Sequence, residues 1–153
     1  RYLIVRHACA HQQPTMLGQK SYNTMTMNQD IGFSSIGMNK MPSGPVVWLT
    51  NTPMIHEADS SIVRWAPMGD STEQYIVGWL ENSTYKLARV NATGMFLEQP
   101  SDVTAKAKWG QRDDPFRAHV NGDIVWAWAD AANAMTVKFA RLRSGNTAQC
   151  AAF

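Results

Sequence analysis

Tyr75-Ile76-Val77-Gly78-Trp79-Leu80, then Glu81-Asn82-Ser83, then Thr84-Tyr85-Lys86-Leu87-Ala88-Arg89-Val90 reads as two apolar strands folded back over a short polar turn. Both runs are short and rich in β-branched and aromatic residues, and polar turn-formers separate them, which is the signature of a hairpin. The unit recurs. Strands carrying arginine read Ile4-Val5-Arg6-His7, Ile62-Val63-Arg64-Trp65, Leu87-Ala88-Arg89-Val90 and Phe139-Ala140-Arg141-Leu142. The last three each follow a strand carrying tryptophan: Val46-Val47-Trp48, Ile76-Val77-Gly78-Trp79 and Ile124-Val125-Trp126-Ala127-Trp128. A supersecondary unit repeated along a chain outranks any single motif as a guide to architecture. We therefore expect a single all-β domain over residues 1–153, built from repeated antiparallel hairpins in which each tryptophan strand pairs with the arginine strand after it.

Composition narrows the function classes. The 153 residues suit one domain, able to bury roughly 70% of the surface its unfolded chain exposes. Charged residues make up 17%, below the usual share of about 25%, while six Trp and nine Met oppose disorder. A net charge of +2, with Lys and Arg scattered, argues against a nucleic-acid partner. No apolar stretch approaches the roughly 18 residues that cross a bilayer as a helix. No signal-peptide pattern opens the chain, and Arg1 leads directly into a strand-like run; we expect a processed start, or a piece of a longer chain.

Cys9 and Cys150 follow the first and last arginine strands. If those strands are neighbours, a disulfide would staple the two ends, contributing on the order of 4–5 kcal/mol in the chain-entropy model. Asn82-Ser83-Thr84 and Asn91-Ala92-Thr93 are glycosylation sequons in turns flanking the third arginine strand. Together these predict an extracellular or secreted glycoprotein.

Along the chain, residues 1–9 read as a strand and 10–30 as a polar loop with a short strand near Tyr22 to Met27. Ile31 to Met38 reads as a short strand, Val46 to Thr50 as a buried one, and Ser60 to Ala66 as its partner. Met95 to Leu97 is a further strand. So is Asp102 to Lys108, where Val103, Ala105 and Ala107 alternate with polar residues. Asn121-Gly122 joins Phe116–Val120 to Asp123–Ala129, a strong hairpin signal, and Thr136 to Arg143 is the last strand. Asp130 to Met135 is the one stretch that suits a helical turn.

From about Pro45 to Arg143 the units resemble the blades of secreted β-propeller proteins, with Tyr85 to Pro100 the closest match. The resemblance implies a non-catalytic binding, adhesion or assembly module. Its partners would be a protein surface, a glycan or further subunits in an oligomer, with no cofactor. The unequal spacing of Arg6, Arg64, Arg89 and Arg141 departs from a regular ring, and the chain is short for one of 4–8 blades. A partial propeller, a sandwich or a small barrel would all use the same hairpins.

The alternative is enzymatic. Leu3-Ile4-Val5-Arg6-His7-Ala8 resembles the opening strand of the histidine phosphatases, which implies phosphoryl transfer with His7 as nucleophile, Arg6 and Arg64 as the clamp and His119 as a further phosphate contact. That family is α/β and requires long helices, whereas residues 10–45 are broken by Pro14, Gly18, Gly32, Gly37, Pro42, Gly44 and Pro45.

Other constellations have structural explanations. His7, Cys9 and His11 alternate and would share a strand face, a spacing suited to zinc or copper, with His56 and His119 as remaining candidates by elimination. Seven methionines between Met16 and Met68 are better read as packing than as a soft-metal site. Trp48, Trp79 and Trp126 or Trp128 sit at equivalent hairpin positions and are expected in the core. Trp65 and Trp109 are then the candidates for stacking on a ligand such as a sugar. The arginines are expected to lie over neighbouring tryptophans. Asp113, Asp114 and Asp123 lack the spaced oxygens of a calcium loop. Cys150-Ala151-Ala152-Phe153 has the form of a prenylation signal, which a disulfide at Cys150 would forbid.

Overall fold

A computed structural model describes residues 2–8, 30–39, 41–52, 55–66, 71–109 and 115–144, the first of these segments as backbone. The described residues form ten strands and no helix: β1 (Tyr2–Ala8), β2 (Asp30–Ile36), β3 (Val47–Trp48), β4 (Glu57–Trp65), β5 (Gln74–Glu81), β6 (Thr84–Asn91), β7 (Phe96–Asp102), β8 (Arg117–Ala118), β9 (Ile124–Asp130) and β10 (Asn133–Leu142). They make three antiparallel meanders in chain order: sheet A is β1-β2-β3, sheet B is β4-β5-β6-β7, and sheet C is β8-β9-β10. The protein is all-β, and no sheet closes into a barrel.

Sheet B lies between the other two because its strands are apolar on both faces. Tyr75, Val77 and Trp79 of β5 and Ala88 and Val90 of β6 pack with Ile31 and Phe33 of β2. The alternate residues, Ile76 of β5 with Tyr85 and Leu87 of β6, meet Trp109, Phe116, Ile124 and Trp126 on the side of sheet C. A continuous apolar run, rather than an alternating one, is what two-sided burial demands. Val77, Trp79, Val90, Ile31 and Ile124 are fully buried; an aliphatic side chain so placed stabilises the fold by roughly 1.5–3 kcal/mol. The first strand of sheet B also contacts the other sheets directly, since β4 packs against β1, β2 and β8.

Two of the three expected hairpins form. β5 pairs with β6 through Asn82-Ser83, where Asn82 takes φ of 54°, a left-handed conformation asparagine tolerates. β9 pairs with β10, placing Trp126 opposite Ala140 and Trp128 opposite Lys138. The third is a correction. Trp48 does not pair with the Arg64 strand but with Gly32 of β2. A Cβ on Gly32 would lie 2.8 Å from Val46 Cγ1 and 3.3 Å from Trp48 Cζ3, so glycine is what lets these side chains lie across β2.

Likewise, Asp102 ends β7 and the stretch from Val103 to Lys108 is not a strand. The Asp102 carboxylate accepts Thr104 N at 2.8 Å, and Lys106 N and Ala107 N both donate to the Val103 carbonyl, closing a turn. Val103 and Ala107 still face the apolar cluster between sheets B and C, four residues apart as on one helical turn. Asp130 to Met135 is no helical turn: Ala131 and Ala132 reverse the chain, and Asp130 accepts Ala132 N at 3.1 Å. Of Phe116 to Val120, two residues, Arg117 and Ala118, are strand. The strand expected near Tyr22 to Met27 lies outside the described residues.

Candidate functional site

Between the β2–β3 edge of sheet A and the turn joining β6 to β7 lies an open cleft of about 210 Å³. Phe33, Val47, Pro45 and Gly44 form its apolar walls, Ser35 and Ser43 supply hydroxyls, and Ala92 and Thr93 close the far side. Local chemistry explains each wall. The Asn91 carboxamide oxygen accepts Thr93 N at 3.0 Å, Thr93 Oγ1 at 2.7 Å and Met95 N at 3.0 Å, which shapes the turn. Gly94 has φ of 82°, and a Cβ there would stand 3.0 Å from Phe33 Cδ1 and 3.1 Å from Val47 Cγ1. Glycine therefore seats the turn against sheet A. Opposite, Ser43 N donates to the Ser35 carbonyl at 2.8 Å and the two hydroxyl oxygens lie 2.5 Å apart, holding Ser43 beside β2.

The neighbourhood is apolar and open: Met41, Val46, Val47, Trp48 and Met95 are all exposed. Ligand pockets for cofactor-sized molecules run about 300–1,000 Å³. This cleft is smaller and suits one side chain or one ring of a larger ligand. Its residues were not singled out from the sequence; the sign available was the density of turn residues in Pro42-Ser43-Gly44-Pro45 beside an apolar strand.

A second, smaller pocket of about 100 Å³ is lined by His119, Asp123, Val125 and Arg141. Arg141 Nε and Nη2 both reach Asp123 Oδ2 at 2.5 Å, Ser144 N donates to Asp123 Oδ1 at 2.8 Å, and the Asn121 amide donates to Oδ2 at 3.2 Å. Burial works against ionisation of Asp123, but the Ser144 N–H, the Arg141 guanidinium and the Asn121 amide outweigh it and hold the carboxyl below its ordinary range. Arg141 is thereby neutralised at short range. His119 Nδ1 lies 3.0 Å from Asn121 Oδ1, in the turn that opens the hairpin.

A buried acidic network joins sheets A and B. Glu57 is fully buried; its Oε2 accepts the Thr50 hydroxyl and Ile31 N, the latter at 3.1 Å, and its Oε1 accepts the Thr52 hydroxyl at 2.9 Å. The neighbouring Asp30, also fully buried, accepts Thr52 N at 3.0 Å. Desolvation raises the Glu57 carboxyl above its ordinary value; the two threonine hydroxyls work the other way, and the Asp30 and Glu81 charges add to the rise. Closed off from solvent, the network is structural.

The residues expected to act together come from different strands and loops. Arg6 and His7 lie on β1, their backbones opposite Gly32 and Ile31. Arg64 lies exposed on β4, opposite Tyr75, and His119 follows β8 in sheet C. Cys9, His11, Asp113, Asp114 and Cys150 lie outside the described residues. Among the described residues, no three His, Cys, Asp or Glu side chains are grouped as metal ligands.

Trp65 and Trp109, expected to stack on a ligand, are instead 9% and 2% exposed. Trp109 is held edge-on by Tyr85 and Phe116, and Trp65 lies under Arg89, whose guanidinium carbon is 4.9 Å from the ring centroid. Here an arginine does cover a tryptophan face, and Glu98 fixes it at 2.7 Å. Of the tryptophans expected in the core, Trp79 and Trp126 are buried while Trp48 is 38% exposed. The two sequon asparagines also differ. Asn82 is exposed at the tip of the β5–β6 turn, whereas the Asn91 side chain is part of its own turn.

No known protein family, curated protein or solved structure matches this chain. The functional reading is carried by the geometry.

Proposed function

We propose that the protein is a secreted, non-catalytic binding module made of propeller-like β-meanders, and that it holds a protein ligand at the cleft between β3 and the β6–β7 turn. The observation carrying this reading is the cleft itself: concave, walled by Phe33, Val47 and Pro45, lined also by Ser43 and Thr93, with an apolar rim around it. Apolar walls with a few placed polar groups are the general form of a binding site. Its size matches a single apolar side chain presented by an extended segment. A glycan fits less well, because Phe33 is 2% exposed and offers no ring face for stacking.

Three successive antiparallel meanders stacked face to face, with β4 touching both β1 and β8, support the blade-like reading. The phosphoryl-transfer alternative requires Arg6, His7, Arg64 and His119 to converge on an α/β scaffold; here they are distributed over three sheets of an all-β one. Secretion is read from the presence of two cysteines, Cys9 and Cys150, and of the sequons, with Asn82 the better-placed acceptor.

Gly44 supplies the test. A Cβ there meets nothing within 4 Å, so Gly44→Phe should be tolerated, and a ring added to a residue that lines the cleft should obstruct it. Peptide and glycan arrays probed with both proteins should yield peptide hits that vanish in Gly44→Phe. Hits that survive the substitution, or hits confined to glycans, would reject the cleft as the peptide site. Secretion is tested by intact mass after alkylation with and without reduction, with added hexose mass expected at Asn82.

A further inference from the structure

The hydroxyls of the cleft beside β3 are one-sided in what they can offer a ligand. Ser35, Ser43 and Thr93 all line it. A hydroxyl has one proton and two lone pairs, and in each of these three the proton is already committed. Thr93 donates to the Asn91 carboxamide oxygen at 2.7 Å. Ser43 donates to the Ser35 carbonyl at 3.0 Å. That makes Ser35 the donor in the 2.5 Å contact between the two serine oxygens. The N–H groups of Ser43 and Thr93 are spent in the same way, on the Ser35 carbonyl and the Asn91 side chain. The three hydroxyls can therefore accept a hydrogen bond from a ligand but not give one.

This sorts the side chains that an extended segment can present. Asparagine, glutamine, serine, threonine, tyrosine and neutral histidine each bring an acceptor along with a donor, and the hydroxyls have no proton for it. Lysine and arginine bring donors only, but none of the described residues lining the cleft is charged. A cation entering between Phe33, Pro45 and Val47 would lose water without gaining a counter-charge. Aliphatic side chains and phenylalanine suit the apolar walls, yet they cover hydroxyl oxygens without pairing them, which costs free energy. The indole of tryptophan joins a large apolar body to one donor and no acceptor.

We propose that the cleft selects a tryptophan side chain of its protein ligand, the ring lying against the apolar walls and the indole N–H donating to a hydroxyl oxygen that lines them. The assignment rests on the cleft being the peptide site, and adds which residue of the peptide is read there. Discrimination of this kind comes from the analogue that lacks the donor, since it leaves the site's polar atoms unpaired. The donor requirement is separable from occupancy of the cleft, because the ring shape can be kept while the N–H is removed.

The test titrates the isotope-labelled full chain, to millimolar concentration, with the N-acetyl amides of tryptophan, benzothienylalanine and leucine. Benzothienylalanine keeps the fused ring but carries sulfur in place of the N–H. Binding is read from the Thr93 backbone amide signal. The tryptophan amide should bind about tenfold tighter than the benzothienyl one, roughly what one hydrogen bond contributes, and tighter than the leucine amide. Gly44→Phe should abolish the Thr93 response to all three. Ser43→Ala removes one acceptor and releases the Ser35 proton, so it should narrow tryptophan's lead; it serves if Gly44→Phe misfolds. Equal affinity for the tryptophan and benzothienyl amides overturns the proposal and leaves the cleft standing as a pocket for apolar rings. A preference for the leucine amide overturns it as well. If no probe moves the Thr93 signal, or the shifts persist in a folded Gly44→Phe, the cleft reading falls and this one with it.

Discussion

The indole Nε1 of Trp109 donates to the backbone carbonyl of Asp59 across 2.8 Å, linking the segment after β7 to the irregularity in β4, where Asp59 has φ of 53°. Trp126 makes a parallel bond, donating to the Lys108 carbonyl at 3.0 Å. Indoles are thus used twice to satisfy backbone carbonyls, once at a strand irregularity and once in the segment after β7. Trp109→Phe keeps an aromatic ring but loses the donor, and the smaller ring leaves a void beside Phe116 and Tyr85. We expect a loss of about 2–4 kcal/mol, read as a lower denaturant midpoint with an unchanged slope.

Gly78 is required for a steric reason. A Cβ at this position would stand 2.8 Å from both Phe116 Cζ and Trp109 Cζ2, and 3.0 Å from Leu87 Cδ2. Gly78→Ala should destabilise by about 1–3 kcal/mol, since two packed rings must move. Gly44→Ala, facing open space, should leave the thermal midpoint nearly unchanged.

Glu57 gives stability a pH dependence of definite sign. Its carboxyl in the folded protein is raised above the ordinary 4.5. The native state therefore holds that proton more tightly than the unfolded chain. The resulting stability is fully present below pH 4.5 and is lost as pH rises through the elevated value. Glu57→Gln removes this term, so the variant should gain on wild type as pH increases from 4 towards 7. Paired urea titrations across that interval check it; a constant difference would show that Glu57 does not titrate in this way.

Asp123 acts in the opposite direction. Its carboxyl is held below the ordinary 3.8, so its contribution is present above that value and disappears as pH falls through the lowered one. Asp123→Asn should cost about 1–3 kcal/mol at neutral pH, because Arg141 and Ser144 N lose their anionic acceptor. The gap between the two proteins should narrow as the pH drops below 3.8, measured by thermal melts in low-pH buffers.

How far the chain could be read in advance depended on how local each decision was. The β5–β6 hairpin and its Asn82-Ser83 turn, the Asn91–Gly94 turn and the Asn121-Gly122 reversal were legible because each is decided within a few residues. The strand reading of Asp102–Lys108 failed because alternation in the sequence does not distinguish a strand from a turn whose ends both face a core; the Asp102–Thr104 bond decides between them. The burial of Trp65 and Trp109 was not legible because their covers, Arg89 from β6 and Phe116 from beyond β7, come from other elements. The cleft was invisible for the same reason, since Phe33, Ser43 and Thr93 come together only when the β6–β7 turn seats on sheet A.

The sequence alone determined that this protein is all-β and where most of its chain reversals fall, because strand periodicity and turn chemistry are properties of neighbouring residues. Tertiary structure decided which strands pair, sending β3 to β2 rather than to the Arg64 strand, and which tryptophans are covered. It also decided that sheet B has both apolar faces buried while sheet C keeps one open. These depend on contacts between residues far apart in the chain, where a missing Cβ at Gly32, Gly78 or Gly94 admits a neighbouring side chain that no local pattern announces.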